Sequence, residues 1–135
     1  MALIAWSNRL ELGVIEIDKQ HQRLVDMVNE LDAAMQQGRG KTAVCAVLDG
    51  LVSYTQYHFG AEEKLMMDSG YAGSERHRQE HVAFVKKLVD LRDAHRQGQL
   101  GLSITVMSFL SDWLSTHIMG TDRQYVPHLA PKAAR

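Results

Sequence analysis

The chain has 135 residues, enough for one domain whose hydrophobic core needs no disulfide staples. Its formal net charge of −1, from 15 basic and 16 acidic side chains mixed along the whole length, offers no electrostatic case for nucleic acid or an anionic membrane surface. The lone Cys45 excludes an internal disulfide and reads as a small core residue, and the apolar stretch from Met1 to Trp6 is too short for a signal-peptide core or a bilayer span, so a cytoplasmic protein is expected.

Ala2 to Ile17 shows no long helical stripe, and Gly13 followed by Val14, Ile15 and Ile17 reads as an extended arm anchored by Trp6. Asp18 is a good N-cap for a first helix to about Gln37, with His21, Leu24, Val25, Val28, Leu31 and Met35 on one face and Gly38-Arg39-Gly40 as its stop. A second helix, about Lys41 to Met67, carries the stripe Val44, Leu48, Leu51, Thr55, His58, Glu62 and Leu65, and Asp68-Ser69-Gly70 ends it with turn chemistry. Ser74 caps a third helix with His77, His81, Phe84, Leu88, Leu91 and His95 stepping by four and three until Gly98. The fourth, from about Ser103, turns Val106, Phe109, Leu110, Trp113, His117 and Ile118 inward, and Gly120 breaks it. The tail from Tyr125, containing Pro127 and Pro131, is expected to be irregular and partly frayed.

Short connections join antiparallel neighbours, so the expected fold is all-α: an up-down-up-down four-helix bundle at about 18–120, an arm at 1–17 and a tail at 121–135, in one domain. In that topology the first and third helices start at the end where the second and fourth finish. His21, His77 and His81 lie early in their helices and His58, Glu62 and His117 late in theirs, so all six fall at one end. His95 sits about 21 Å along the helix from His81 and cannot join them. His128, in the tail, is likewise left out.

A carboxylate in an apolar stripe is costly unless it is paired or holds a metal, and a layer of buried histidines without partners is costly too. The next inward-facing acid after His117 is Asp122, which makes a candidate ligand set of His21, His58, Glu62, His77, His81, His117 and Asp122. Five imidazoles with two carboxylates and no thiolate suit iron, zinc, copper or cobalt rather than calcium or magnesium. If both carboxylates bridge and one oxide or hydroxide joins them, the donors fill all but one position of an octahedral pair of metals.

The arm from Trp6 through Gly13 and Val14, the run Ile17-Asp18-Lys19-Gln20-His21, the run His58-Phe59-Gly60-Ala61-Glu62-Glu63 with Met66, the pair His77 and His81, and His117 to Asp122 with Tyr125 together resemble the hemerythrin family in its single-domain bacterial form, the bacteriohemerythrins. The resemblance covers nearly the whole chain and every ligand position. It implies a non-haem, carboxylate-bridged pair of irons with an oxo or hydroxo bridge. His77, His81 and His117 hold one iron, His21 and His58 the other, and Glu62 and Asp122 bridge them. It implies reversible dioxygen binding at the open position of the two-histidine iron, for storage, transport or delivery to an oxygen-consuming partner. Leu24, Phe59, Trp113, Leu114 and Ile118 resemble the family's apolar dioxygen pocket, with Tyr125 at its edge. No acid, base or nucleophile is evident among them, so the protein is expected not to be an enzyme. The rival functions are an oxidase or peroxidase consuming dioxygen, peroxide or nitric oxide, and a sensing module acting through a separate partner.

Overall fold

A computed structural model describes residues 4–38, 41–97 and 104–129, with the side chains of residues 41, 43 and 104–106 left aside. Among the described residues there is no strand. Four long helices, α1 (Ile15–Gln36), α2 (Lys41–Asp68), α3 (Ser74–Arg96) and α4 (Ile104–Thr116), form the body. α2 packs against α1 and α3, and α4 against α1. Stacking of Phe84 on Trp113, ring centroids 3.9 Å apart, joins α3 to α4 and closes the bundle. The expected stops at Arg39, Gly40 and Gly98, the start at Ser103, the inward Val106 side chain and Pro131 lie outside the described residues. None of the described helices is long and apolar enough to cross a membrane.

The stripes bury as the spacing predicts over most of their length. Leu24, Val25, Val28 and Leu31 of α1, Val44, Leu48 and Leu51 of α2, Phe84 and Leu88 of α3, and Leu110, Leu114 and Ile118 share one core, and Leu91 of α3 is also buried. Five positions depart: Met35, Leu65, His95 and Trp113 are half-buried and Phe109 is exposed. Met66 is buried and Leu65 only half-buried, and the last turn of α2 is closed by bonds from the Tyr71 N–H to the Met66 carbonyl (3.0 Å) and from the Gly70 N–H to the Met67 carbonyl (3.2 Å), with Gly70 at φ +70°. Phe109 is exposed at the edge of the α3/α4 seam, and Met107 is buried in the core. Cys45 is half-buried beside the stripe.

The arm is not simply extended, and α1 begins before Asp18. Asp18 is not the cap: the N-cap is Val14, without a side-chain bond. The Asp18 carboxylate instead reaches back one turn to accept the N–H groups of Leu12 (2.8 Å) and Gly13 (3.0 Å), tying the arm to the helix. Glu16 and Asp18 in this first turn also oppose the helix dipole favourably. Upstream, Asn8–Leu10 form a 3-10 turn, and the Asn29 side chain pairs with both the N–H (2.8 Å) and carbonyl (2.9 Å) of Ile4. Ile4, Leu10, Leu12 and Val14 are buried and Trp6 half-buried, so the anchoring is shared along the arm instead of resting on Trp6.

Ser74 is the first residue of α3, and the capping position belongs to Gly73. Past α4 the chain does not break at Gly120. It runs on as a π-helical segment, His117–Asp122, then one α-helical turn, Arg123–Tyr125, and a 3-10 turn, Val126–His128. Nor is the tail frayed there, because Tyr125 is fully buried and Leu129 lies in the core.

Candidate metal centre

Each helix delivers its donors from the inner stripe at the same end of the bundle. His21 comes from the second turn of α1, His58 and Glu62 from one face of α2, His77 and His81 from one face of α3, and His117 and Asp122 from the continuation of α4. The π-helical segment decides the last pair. Residues five apart on a regular α-helix diverge by well over a right angle, whereas the wider π turn brings positions i and i+5 to one side. Accordingly the His117 Nε2 lies 2.9 Å from the Asp122 Oδ1.

All seven side chains are buried, and their donor atoms fall into two groups that share both carboxylates: Glu62, His77, His81, His117 and Asp122 in one, and His21, His58, Glu62 and Asp122 in the other. Each carboxylate faces both ways. Asp122 turns Oδ1 to the Nε2 of His77 (2.8 Å) and Oδ2 to the Nε2 of His21 (3.0 Å). Glu62 turns Oε1 to the Nε2 atoms of His58 (3.3 Å) and His81 (3.4 Å), and Oε2 to that of His21 (3.4 Å).

Three imidazole nitrogens converge on one point: the His117 Nε2 lies 3.1 Å from that of His77 and 3.0 Å from that of His81. Metal–imidazole bonds of about 2.1 Å put neighbouring donors about 3.0 Å apart in an octahedron and about 3.4 Å apart in a tetrahedron. The observed spacing fits the octahedral case. Protein hydrogen bonds leave several of these atoms unsatisfied, among them the His21 Nε2, the Glu62 Oε1 and both oxygens of Asp122. Buried polar atoms in that state need a partner, and a cation at the shared point supplies it.

The protein's own charges already favour a cation. Burial pushes the His21 imidazole down, but the Asp122 and Glu62 carboxylates beside it outweigh that and raise its pKa to about 9. Burial pushes Glu62 up, and the surrounding imidazoles of His58, His21 and His81 hold it well below the usual carboxylate range. Burial and the Glu62 charge push Asp122 up, yet His117 and His21 hold it low as well. Two buried carboxylates thus stay ionised among imidazoles. Burial and these same carboxylates raise the Tyr125 phenol, which keeps its proton and donates a hydrogen bond to the Glu62 Oε2 at 2.8 Å.

Comparison with known proteins agrees with this geometry. The Hemerythrin HHE cation binding domain matches residues 12–129. The chain belongs to the hemerythrin family. It is 38% identical to a bacteriohemerythrin of Stenotrophomonas maltophilia over 93% of this chain and 80% of that one. With a bacteriohemerythrin of Methylococcus capsulatus it shares 34% identity over 96% of this chain and 99% of that one. A crystal structure of wild-type hemerythrin superposes with a TM-score of 0.86 at 33% identity, covering 95% of this chain and 98% of that one. The cofactor is accordingly a non-haem di-iron centre, and the chain binds oxygen at a non-haem iron site.

Directly beneath the metal layer, one helical turn from His21, His58, His81 and His117, lies an apolar cavity with a water-accessible volume of about 10 Å³. Leu24, Phe59, Trp113 and Leu114 line it, together with Val28, Leu51, Thr55, Phe84 and Leu110. Ile118 and Tyr125 are fully buried but are not part of that lining. Phe59 and Trp113 also brace ligands: Phe59 stacks on His81 at 3.7 Å and Trp113 on His117 at 4.4 Å.

Two neighbours of the cluster had no role in the sequence reading. Gln20 is buried and its Oε1 lies 2.7 Å from the His58 Nδ1, and the Glu63 Oε2 lies 2.9 Å from the His81 Nδ1. Both flank ligands in the sequence, but the histidines they meet lie on other helices, so spacing along the chain carries no signal for the pairing.

Proposed function

We propose that the chain is a reversible dioxygen carrier in which His77, His81 and His117 hold one iron, His21 and His58 the other, and Glu62 and Asp122 bridge the two. The observation that carries this reading is the sharing of Glu62 and Asp122 between two donor groups, one with three imidazoles and one with two. With one further bridging oxygen the first group is complete and the second lacks one donor, which leaves a single position for a small ligand. When bound, the irons supply that open position and the electrons that hold dioxygen there.

The chain's own groups make the binding reversible. Leu24, Phe59, Trp113 and Leu114 turn apolar surface toward the layer below the irons, where water finds few partners and is disfavoured. Keeping water and protons away protects the bound ligand from leaving in reduced form. The lining includes no acid or base, which supports carriage over chemistry on a second substrate. Tyr125 holds Glu62 by its hydroxyl, fixing the bridging carboxylate, and Asp122 is positioned by the π-helical turn. In the cell the carrier would store dioxygen or pass it to an oxygen-consuming enzyme.

The test is oxygen cycling of the reduced, iron-loaded chain followed by its visible spectrum. A carrier regains the deoxy spectrum each time oxygen is removed. A chain that finishes each cycle oxidised does not carry dioxygen reversibly, and the carrier reading falls.

A further inference from the structure

The two halves of the centre are backed by different charges. Behind the three-histidine group, the His81 Nδ1 meets the Glu63 carboxylate at 2.9 Å. Behind the two-histidine group, the His58 Nδ1 meets the neutral Gln20 amide oxygen at 2.7 Å. In both pairs the acceptor assigns the ring proton to Nδ1 and leaves the Nε2 lone pair facing the cluster, as a metal ligand requires. The difference is one negative charge. A carboxylate draws the Nδ1 proton more strongly than an amide does and makes the imidazole a stronger donor to its metal.

The surroundings preserve this contrast. His81 is 2% exposed and clamped by Phe59, whose ring lies 4° from parallel, so its orientation toward Glu63 is set by packing. Glu63 is 27% exposed and lines a groove between α2 and α3 with Gln56, Val82, Val85 and Lys86, where solvent makes an ionised carboxylate affordable. Gln20, 8% exposed, sits where a charge would be costly.

We propose that Glu63, acting through His81, is the positioning residue that makes the three-histidine iron the stronger electron donor, and that the neutral Gln20 behind His58 leaves the iron with the open position the weaker one. The inference rests on the di-iron reading above.

The experiment is an anaerobic potentiometric titration of the iron-loaded chain with redox mediators, read by its visible spectrum, on the parent, Glu63→Gln and Gln20→Glu. Glu63→Gln keeps a hydrogen-bond acceptor but removes the charge. It should raise the midpoint by about 59 mV for each tenfold loss of ferric preference. Gln20→Glu should lower it. Midpoints equal to the parent's in both variants, or shifted in the same direction, overturn the proposal, since a purely structural role for these residues would not depend on charge. If Glu63→Gln holds no iron, Gln20→Glu decides alone, and an unmoved or raised midpoint overturns the inference. No oxygen enters the titration, so a failure of reversible oxygen binding in the parent would sink the carrier reading and leave this result standing.

Discussion

His77 and His95 lie on the same inner stripe of α3, but only His77 reaches the centre, with its Nε2 2.8 Å from Asp122. Removing its ring takes a donor from the crowded group and leaves Asp122 short of a partner. His77→Ala should therefore lose iron and stability together, while His95→Ala, outside both donor groups, should retain both irons. Elemental analysis with thermal melts checks this, and equal loss in the two variants would contradict the ligand assignment. Leu114 stands one turn before His117 in the wall of the cavity. Leu114→Ala should cost about 2 to 5 kcal/mol of stability and open space that water can enter beside a polar centre. We expect two irons and a normal oxygenated spectrum that decays faster than the parent's at fixed pH and temperature. An unchanged decay at full iron content would make Leu114 core filling only.

Gly120 lies inside a helical segment with negative φ, and a Cβ built there meets nothing within 4 Å. Alanine fits that backbone and narrows the unfolded ensemble, so Gly120→Ala should keep iron and stabilise by about 0.4 to 1 kcal/mol. A fall in melting temperature or loss of iron would show that the π-helical segment needs the glycine after all. The arm is tested at Asn29, whose side chain makes two bonds to the Ile4 backbone. Asn29→Ala strips both and should destabilise by about 1 to 3 kcal/mol without changing iron content, with faster amide exchange at Ile4 as its local signature.

At the scale of the whole molecule, the centre ties all four helices together, since its donors come from α1, α2, α3 and the continuation of α4. Metal binding is therefore coupled to folding. With iron at a hundredfold over its dissociation constant, linkage adds about 2.7 kcal/mol per site. Chelation should lower the melting temperature by roughly 10 °C or more. Calorimetry of loaded and stripped protein measures this directly, and a stripped chain that melts with the loaded one would show that the bundle stands without its metals. Without them, the two buried carboxylates are left with only the surrounding imidazoles as partners.

Spacing along the chain was enough to mark the four helices, most of their inner stripes and the convergence of His21, His58, Glu62, His77, His81, His117 and Asp122 on one end. Helical period and the alternation of an antiparallel bundle are local rules that depend only on spacing. What needed the tertiary structure was everything settled by contact between segments distant in the chain. Asp18 reads as a cap, and only the folded arm shows its carboxylate bonded to Leu12 and Gly13. Gly120 and the tail read as a break and a frayed end, because propensity favours that wherever nothing else intervenes. The need to bury Tyr125 against Glu62 and to turn His117 and Asp122 to one side overrides it with a π-helical segment. Gln20 and Glu63 could not be assigned for the same reason. A residue that orients a ligand is recognised by the atom it touches, and His58 and His81 come within reach of them only when the helices pack.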